Sequence, residues 1–427
     1  MKRRTFLHSS GAAALGFPSI VPSTVLGKDA PGNKIAMGFI GVGNHGVGRN
    51  LKMFIQVPDA RVVAVCDVFK SRQKSAAGIV DKWYQQKGCA MIDDFRELLA
   101  RDDIDAVQIS TPDHWHVPMS LLALRAGKDV ICEKPTLTVR QGRALSDEVK
   151  KQKAIFQTST EDRSIQLYHR MAELVRNGRI GKLQRIEVEL PTGFRFANEA
   201  KAPVPAGLDY DMWLGPAPLA PFTPLRTHKD HWRCIWDYSG GKFSDWGAHQ
   251  LDTAQWANDT EYTGPVEVHG KGTVNEGSMY NTFVEYDINY TYANGVNLHV
   301  KNGGTSLRFF GSEGWVGNAG WRKRLEASSD KILKAAIGPD ETKLYTDIDG
   351  EHFNFIKCVK SREEPYLPAE IGHRIATLMH LGNISMRQDR KLKWDPAKER
   401  FVDDDAANKS ILMDRPMRAP WDKLIPL

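Results

Sequence analysis

The apolar positions of this chain fall first into short runs separated by helical patterns. Later they fall into period-two alternation. Ile35–Ile40 is an apolar run of the kind a buried parallel strand shows. Val47–Ile55 comes next, with Leu51 and Ile55 at helical spacing, and stops at Val57-Pro58; Ala60–Cys66 reads as a second strand. The alternation continues through a short helix over Asp94–Arg101, a strand over Ile104–Ser110 and a helix over Val117–Ala126 capped by Gly127. A strand over Asp129–Cys132, a helix over Val139–Lys153 and a strand over Ala154–Gln157 complete it. This βα order predicts an α/β fold whose N-terminal domain, 33–157, is a Rossmann-type doubly wound parallel sheet.

The pattern changes from about Ser159. Tyr168–Asn177 is a helix, Lys182–Leu190 alternates as a strand, and 191–240 is rich in Pro, Gly and Trp and reads as long loops. Ser244–Trp256 is helical. The runs Val266–Val274, Thr282–Tyr292, Val296–Lys301 and Thr305–Phe310 then alternate with period two. The expectation is a C-terminal α/β domain over 158–390 with an open, mostly antiparallel sheet, offered as a surface for a homo-oligomer. Two further helices, Gly350–Val359 and Ala369–Arg387, come after it, the second bracing the domains. The polar tail 391–427 is expected to pack on the fold.

Between the first two strands stands Gly41-Val42-Gly43-Asn44-His45-Gly46. In such a loop the first glycine makes a tight turn, the second lets the backbone approach a pyrophosphate, and the third lets helix and strand pack closely. The helix N-terminus adds free N–H groups for phosphates. Asp67, twenty-one residues after Gly46, ends the second strand where a carboxylate would take ribose hydroxyls. Strand, glycine loop, helix, strand and acid together predict a nicotinamide nucleotide, with Gly41, Gly43, Asn44, His45, Gly46 and Asp67 at it. An acid at 67 favours NAD over NADP, moderated by Lys70, Arg72 and Lys74 close behind.

Composition narrows the partners. The formal charge is +6, and Lys2, Arg3 and Arg4 supply three of those charges. The remainder is too mildly basic to argue for nucleic acid, and no apolar stretch is long enough for a membrane span. Residues 1–27 stand apart: Lys2-Arg3-Arg4-Thr5-Phe6-Leu7 precedes the small apolar run Gly11–Phe17. That segment resembles a twin-arginine export signal and implies the twin-arginine machinery as a partner and a periplasmic or otherwise exported location. That route moves folded protein, which suits an enzyme loading NAD in the cytoplasm. The five cysteines, an odd number without a C-x-x-C pair, indicate neither a disulfide framework nor zinc.

Candidate chemistry gathers where the strands end. Lys134 leaves a sheet strand on the carboxyl edge, where ligands bind in open α/β folds. Its alternative is a surface lysine in a turn. Asp245 and His249, one helical turn apart, share a face. They read either as an acid and a base or as a helix N-terminal acid with a satisfied histidine. Asp252 and Trp256 continue that stripe and either line the pocket or pack. Asp113, His114, His116, His228 and His231 are too scattered in short pairs to supply a metal site. Five of the eleven tryptophans fall between Trp213 and Trp256. Flat rings with one N–H suit sugars, although core packing accounts for at least two of the five. Trp232 and Arg233 are the substrate-binding candidates there.

Taken together the chain resembles the glucose–fructose oxidoreductase, inositol dehydrogenase and rhizopine-catabolism (Gfo/Idh/MocA) family, in its exported branch. The resemblance rests on the loop 41–46, on Thr111-Pro112-Asp113-His114-Trp115-His116, on Ala126–Pro135 with its Glu133-Lys134-Pro135, and on Gly240–His249. It implies NAD(P)-dependent hydroxyl oxidation on sugars or cyclitols, and export to where free NAD is scarce implies that the cofactor is tightly bound. It also implies Thr111, Pro112, His116, Glu133 and Lys134 at the cofactor, and Lys134, Asp245 and His249 as the catalytic set, His249 being the base. Two other readings stand beside this one. The first is an NAD-dependent glycoside-cleaving enzyme that oxidises the sugar transiently, eliminates the glycosidic bond and returns the hydride. The second is a non-catalytic sugar-binding protein, against which the intact Lys134, Asp245 and His249 argue.

Overall fold

The computed structural model describes residues 33–427, so the segment 1–27, expected to be an export signal, lies outside the described residues. Two sheets organise the chain. The first has six parallel strands: β1 (Ile35–Ile40), β2 (Ala60–Cys66), β3 (Ala90–Ile92), β4 (Ala106–Ile109), β5 (Asp129–Glu133) and β6 (Phe156–Ser159). Their spatial order is β3-β2-β1-β4-β5-β6. Chain direction across the sheet reverses between β1 and β4, and the crevice outside the carboxyl ends of these strands is where such sheets bind ligands. Apart from the edge strand β3, where Met91 is exposed, the strands are mostly apolar and buried, as in a parallel sheet covered by helices.

The second sheet has nine strands: β7 (Leu183–Leu190), β8 (Glu267–Val274), β9 (Phe283–Thr291), β10 (Asn297–Asn302), β11 (Leu307–Gly311), β12 (Trp315–Asn318), β13 (Leu325–Ala327), β14 (Leu392–Asp395) and β15 (Arg400–Phe401). Their order is β13-β12-β11-β7-β10-β9-β8-β14-β15. All pairs are antiparallel except β7 with β10. One face packs on the helices Gln166–Arg176, Gly241–Ala257 and Ala369–Gln388. Along the other face, polar residues such as Glu187, Asp287 and Lys301 alternate with the buried ones. The α/β class, the parallel first sheet and the open, mostly antiparallel second sheet are as the residue pattern predicts.

The differences lie in short elements. The glycine-loop helix begins as wide π-helical turns over Gly46–Leu51 and ends as an α-turn over Lys52–Phe54. A helix over Lys70–Tyr84 and strand β3 are present where the pattern suggested no element. That helix is mostly polar and buries only Gln73, Ala76, Ala77 and Val80, a narrow apolar stripe that periodicity hardly shows. The helix expected from Val117 starts at Asp113, so His114, Trp115 and His116 lie in its first turns; Pro118 sits inside it. The tail adds β14 and β15 to the second sheet and then returns to the first domain. There the Leu412 carbonyl accepts the Val139 N–H at 3.0 Å, and Trp421 packs edge-on against Trp115 with centroids 4.7 Å apart and stacks near Phe95. Among the described residues no helix is long and apolar enough to cross a membrane.

The helix Ala369–Gln388 touches both domains, and ion pairs lock it there. Arg143 of the first domain binds Glu370 at 2.7 Å and Glu399 of the tail at 2.6 Å. Trp421 is 3 % exposed, so Trp421→Ala opens a cavity between the tail and the helices that carry Phe95 and Trp115. The expected loss is about 3–5 kcal/mol, read as a lower urea midpoint. An unchanged midpoint would show that the tail is dispensable for the fold.

Candidate active site

A cavity of about 380 Å³ opens along the carboxyl edge of the first sheet and is closed on its far side by the second domain. The glycine loop forms one wall. Gly41 has φ +85°, and a Cβ there would meet the Ser110 carbonyl oxygen at 2.6 Å, so the turn from β1 passes hard against the end of β4. A Cβ on Gly46 would come within 2.2 Å of the Gly41 carbonyl oxygen, which fixes close packing beneath the loop. Gly43 differs. It lines the cavity, and a Cβ there would touch only the Arg72 guanidinium at 3.3 Å. The three positions thus serve as tight turn, open face and close contact, the arrangement a nucleotide pyrophosphate needs.

Asp67 lies in the same wall. Its oxygens accept the Val42 and Phe69 N–H groups, both at 2.9 Å. A carboxylate has further lone pairs for ribose hydroxyls. Burial raises its pKa, against Arg72 and the two backbone donors. Arg72 Nη1 is 3.9 Å from Asp67 and lies over the Phe69 ring. Thr111 and Pro112 continue the lining, and the Thr111 hydroxyl is buried without a partner. The His116 nitrogens face the carbonyls of Pro135 at 2.9 Å and Thr111 at 2.8 Å, so this ring ties the ends of β4 and β5 together.

Glu133 and Lys134 leave β5 in different directions of use. Glu133 accepts from His45 and Asn50, each at 2.9 Å, and so anchors the glycine loop. Burial disfavours its charge, but His45 and Lys134 outweigh that and hold it well below the usual carboxylate range. Lys134 Nζ crosses the cavity to the Asp245 carbonyl at 2.7 Å and its Oδ1 at 3.0 Å. Burial opposes the ammonium, yet Asp245 and Glu133 raise its pKa above the ordinary value.

Asp245 stands on the helix Gly241–Ala257 and also meets Arg233 Nε at 3.3 Å and Lys242 Nζ at 3.5 Å. Burial acts against its charge, and the three cations hold it well below its usual range. Asp245 is therefore partnered by cations and not by His249, although both side chains line the same cavity. Burial, with Lys134 adding, pushes the His249 imidazole down to about 4, so it is neutral at pH 7. Asp252 and Trp256, on the same helix, pack instead: Asp252 binds Arg163 at 2.6 Å, and Arg163 lies over the Trp256 ring.

Of the clustered tryptophans, Trp213, Trp232 and Trp246 line the cavity, whereas Trp236 and Trp256 are core residues. Arg233, His228 and Lys229 line it too. Arg226 instead donates to the Tyr238 hydroxyl at 3.0 Å. His228 and His231 approach each other at 3.0 Å. Among the described residues no three His, Cys, Asp or Glu side chains converge as a metal site. The residue pattern passes over Glu161, Asp162, Trp321 and Arg49. Glu161 lines the cavity, bound to Arg322 at 2.7 Å and 3.7 Å from Arg49. Two acids just past the end of β6 are a legible signal, because that edge carries ligands. Trp321 arrives from a distant loop after β12 and has no such signal.

Comparison with known proteins agrees with this geometry. Residues 35–160 match the NAD-binding Rossmann fold of the Gfo/Idh/MocA oxidoreductase family, and residues 167–423 match its C-terminal α/β domain. The chain belongs to this family. A glycosyl hydrolase family 109 protein of Saccharopolyspora erythraea is 36% identical over 155 residues, 32% of this chain and 34% of the relative, so the match spans about a third of that protein. Two solved structures share the fold. A putative myo-inositol dehydrogenase from Sinorhizobium meliloti 1021 has TM-score 0.59 and 21% identity, over 84% of this chain and 99% of that one. The WlbA dehydrogenase from Bordetella pertussis, solved with NADH and UDP-GlcNAcA, has TM-score 0.64 and 15% identity, over 85% and 99%.

The site geometry gives one expected outcome. Gly43→Ala should weaken NAD binding by about tenfold or more while the urea midpoint stays put, because the new methyl group faces the cavity and a movable guanidinium. Fluorescence titration checks it, and unaltered affinity would place the nucleotide elsewhere. Burial first, and then Glu161, raise the pKa of the Asp162 carboxyl, and the Trp321 indole N–H and Arg322 act against them.

Proposed function

We propose that the protein is an exported NAD-dependent oxidoreductase that oxidises a secondary hydroxyl of a sugar, sugar derivative or cyclitol. The observation that carries the reading is one cavity holding the glycine loop, Lys134 and His249 together. Gly41, Gly43 and the helix start at Gly46 would hold the pyrophosphate, Asp67 the ribose, and Thr111, Pro112 and His116 the nicotinamide end. The bound nicotinamide supplies the hydride acceptor. The chain itself then has two tasks. His249, neutral at pH 7, takes the hydroxyl proton, and the Lys134 ammonium, fixed by Asp245, stabilises the charge that develops on the oxygen. Trp232, Trp246 and Arg233 offer a ring face and donors for the substrate.

The relative named as a glycosyl hydrolase family 109 protein favours a second reading on the same residues. Oxidation at one sugar carbon acidifies the neighbouring C–H; elimination then expels the glycosidic oxygen, water adds, and the hydride returns. No net redox change occurs, which fits an exported protein with a retained cofactor. The Lys2-Arg3-Arg4 segment supports the export and the twin-arginine partner. The reading includes a homo-oligomer formed through the open face of the second sheet.

Purification without added nucleotide, then denaturation and mass analysis, tests the reading first. Stoichiometric NAD(H) is expected; NADP would reassign Asp67 and Arg72, and a protein that neither retains nor binds a nicotinamide nucleotide would overturn the reading. Lys134→Ala should lower turnover about 100-fold or more with NAD affinity nearly unchanged. Retained turnover would remove Lys134 from the chemistry.

A further inference from the structure

The acid that sequence spacing offers to His249 is Asp245, one helical turn away. Its carboxylate is already shared among Lys134, Arg233 and Lys242. His249 Nδ1 is enclosed by protein and has no hydrogen-bond partner. The carboxylate oxygen beside it is Asp162 Oδ2, at 3.9 Å. Asp162 is wholly buried, in the helical turn Asp162–Ser164 just past β6. The Trp321 indole N–H stands 3.4 Å from both of its oxygens, and the Trp321 ring is centred 5.9 Å from the imidazole. His249 and Trp321 thus line the cavity, and Asp162 stands behind them, beside the enclosed Nδ1.

We propose that Asp162 is the positioning residue for His249: it accepts the Nδ1–H, fixes the tautomer whose Nε2 is open to the substrate hydroxyl, and is itself held by Trp321. A buried ring nitrogen without a partner is costly. The pair stands 3.9 Å apart, and hydrogen bonds of catalytic groups commonly tighten when substrate closes the site. The proton balance is simple. The substrate O–H bond breaks, an N–H bond forms at Nε2, and the Nδ1–H of the resulting imidazolium faces Asp162. Removing the acid or turning the imidazole to the other tautomer blocks that transfer.

The groups facing the pair come from four segments. Glu133 and Lys134 stand at the end of β5, and Glu161 is beside Asp162 in sequence. Asp245 and Asp252 lie on the helix of His249, and Arg322 is next to Trp321. The proposal rests on the reading of His249 as the base, and its test does not require a substrate. In ¹⁵N-labelled protein the His249 ring resonances are assigned by their loss in His249→Asn. The wild type should show the Nδ1–H tautomer at pH 7. Asp162→Asn, whose amide can donate to Nδ1, should move at least half of the population to the Nε2–H form. An unmoved tautomer overturns the proposal. If Asp162→Asn does not fold, Trp321→Phe carries the test, with a displaced Nδ1 resonance expected and an unmoved one overturning it. Once a substrate is found, Asp162→Asn should lower kcat about 10–100-fold with KM within about threefold. Full activity in His249→Asn would sink the base reading and leave the tautomer result standing.

Discussion

Lys134 crosses from the end of the first sheet to Asp245 on a helix of the second domain, and the two halves of the cavity are held at one spacing by that bond. Its worth does not lie in global stability. Charges taken out of water lose much of what they regain from each other, and apolar packing of the same volume would often serve the fold better. What the pair does is fix position. The ammonium has a carbonyl and a carboxylate as partners, and Arg233 and Lys242 keep that carboxylate from turning. Lys134 is thereby held charged, on the cavity side of β5, where a reacting oxygen needs a cation that does not have to reorganise.

A second network ties the glycine loop to the same place. Arg49, from the turn after the loop, binds the buried Glu351 and lies near Glu161. His45 and Asn50 bind Glu133, the neighbour of Lys134. Glu351 is pushed up to about 7, by burial first and by the neighbouring Glu161 and Glu133 carboxylates, with Arg49 opposing. The nucleotide loop and the substrate wall therefore share charges through Glu133, Arg49 and Glu161. A change of charge at one is felt at the other, because such interactions are weakly screened in a buried setting.

Much of this was legible in the residues because local rules and the fold agree. Apolar runs of four to seven residues, bounded by turns, marked β1, β2, β4 and β5. The loop 41–46 and Asp67 marked one wall of the cavity, and helical spacing put Asp245 and His249 on one face. What escaped has physical reasons. The Lys70–Tyr84 helix buries so narrow a stripe that its polar residues dominate the pattern. Strands β12 to β15 have only two to four residues and exist because β11 and β8 present edges for them to pair with. Spacing shows which side chains point together and says nothing about who binds whom. Asp245 and His249 do share a face, yet Lys134 arrives from 111 residues away and takes the carboxylate.

With Lys134 so placed, the site can serve either of two reactions. Net oxidation and transient oxidation with bond cleavage both begin with the same proton and hydride leaving a carbinol. They diverge only in the fate of the oxidised sugar while it is still bound. On the proposed reading Lys134 supports the first step in both, since a carbonyl oxygen and its enolate each draw on a fixed cation. The divergence must then lie in a second base for the acidified C–H and in retention of the nucleotide. Glu161 lines the same cavity, and Arg49 and Arg322 hold its charge. A carboxylate held by two arginines is a poor base but a good acceptor for sugar hydroxyls. Under the proposed function, Glu161 therefore suits holding a sugar through its hydroxyls better than abstracting a second proton from it, and the elimination reading would have to draw its second base from another residue of this cavity.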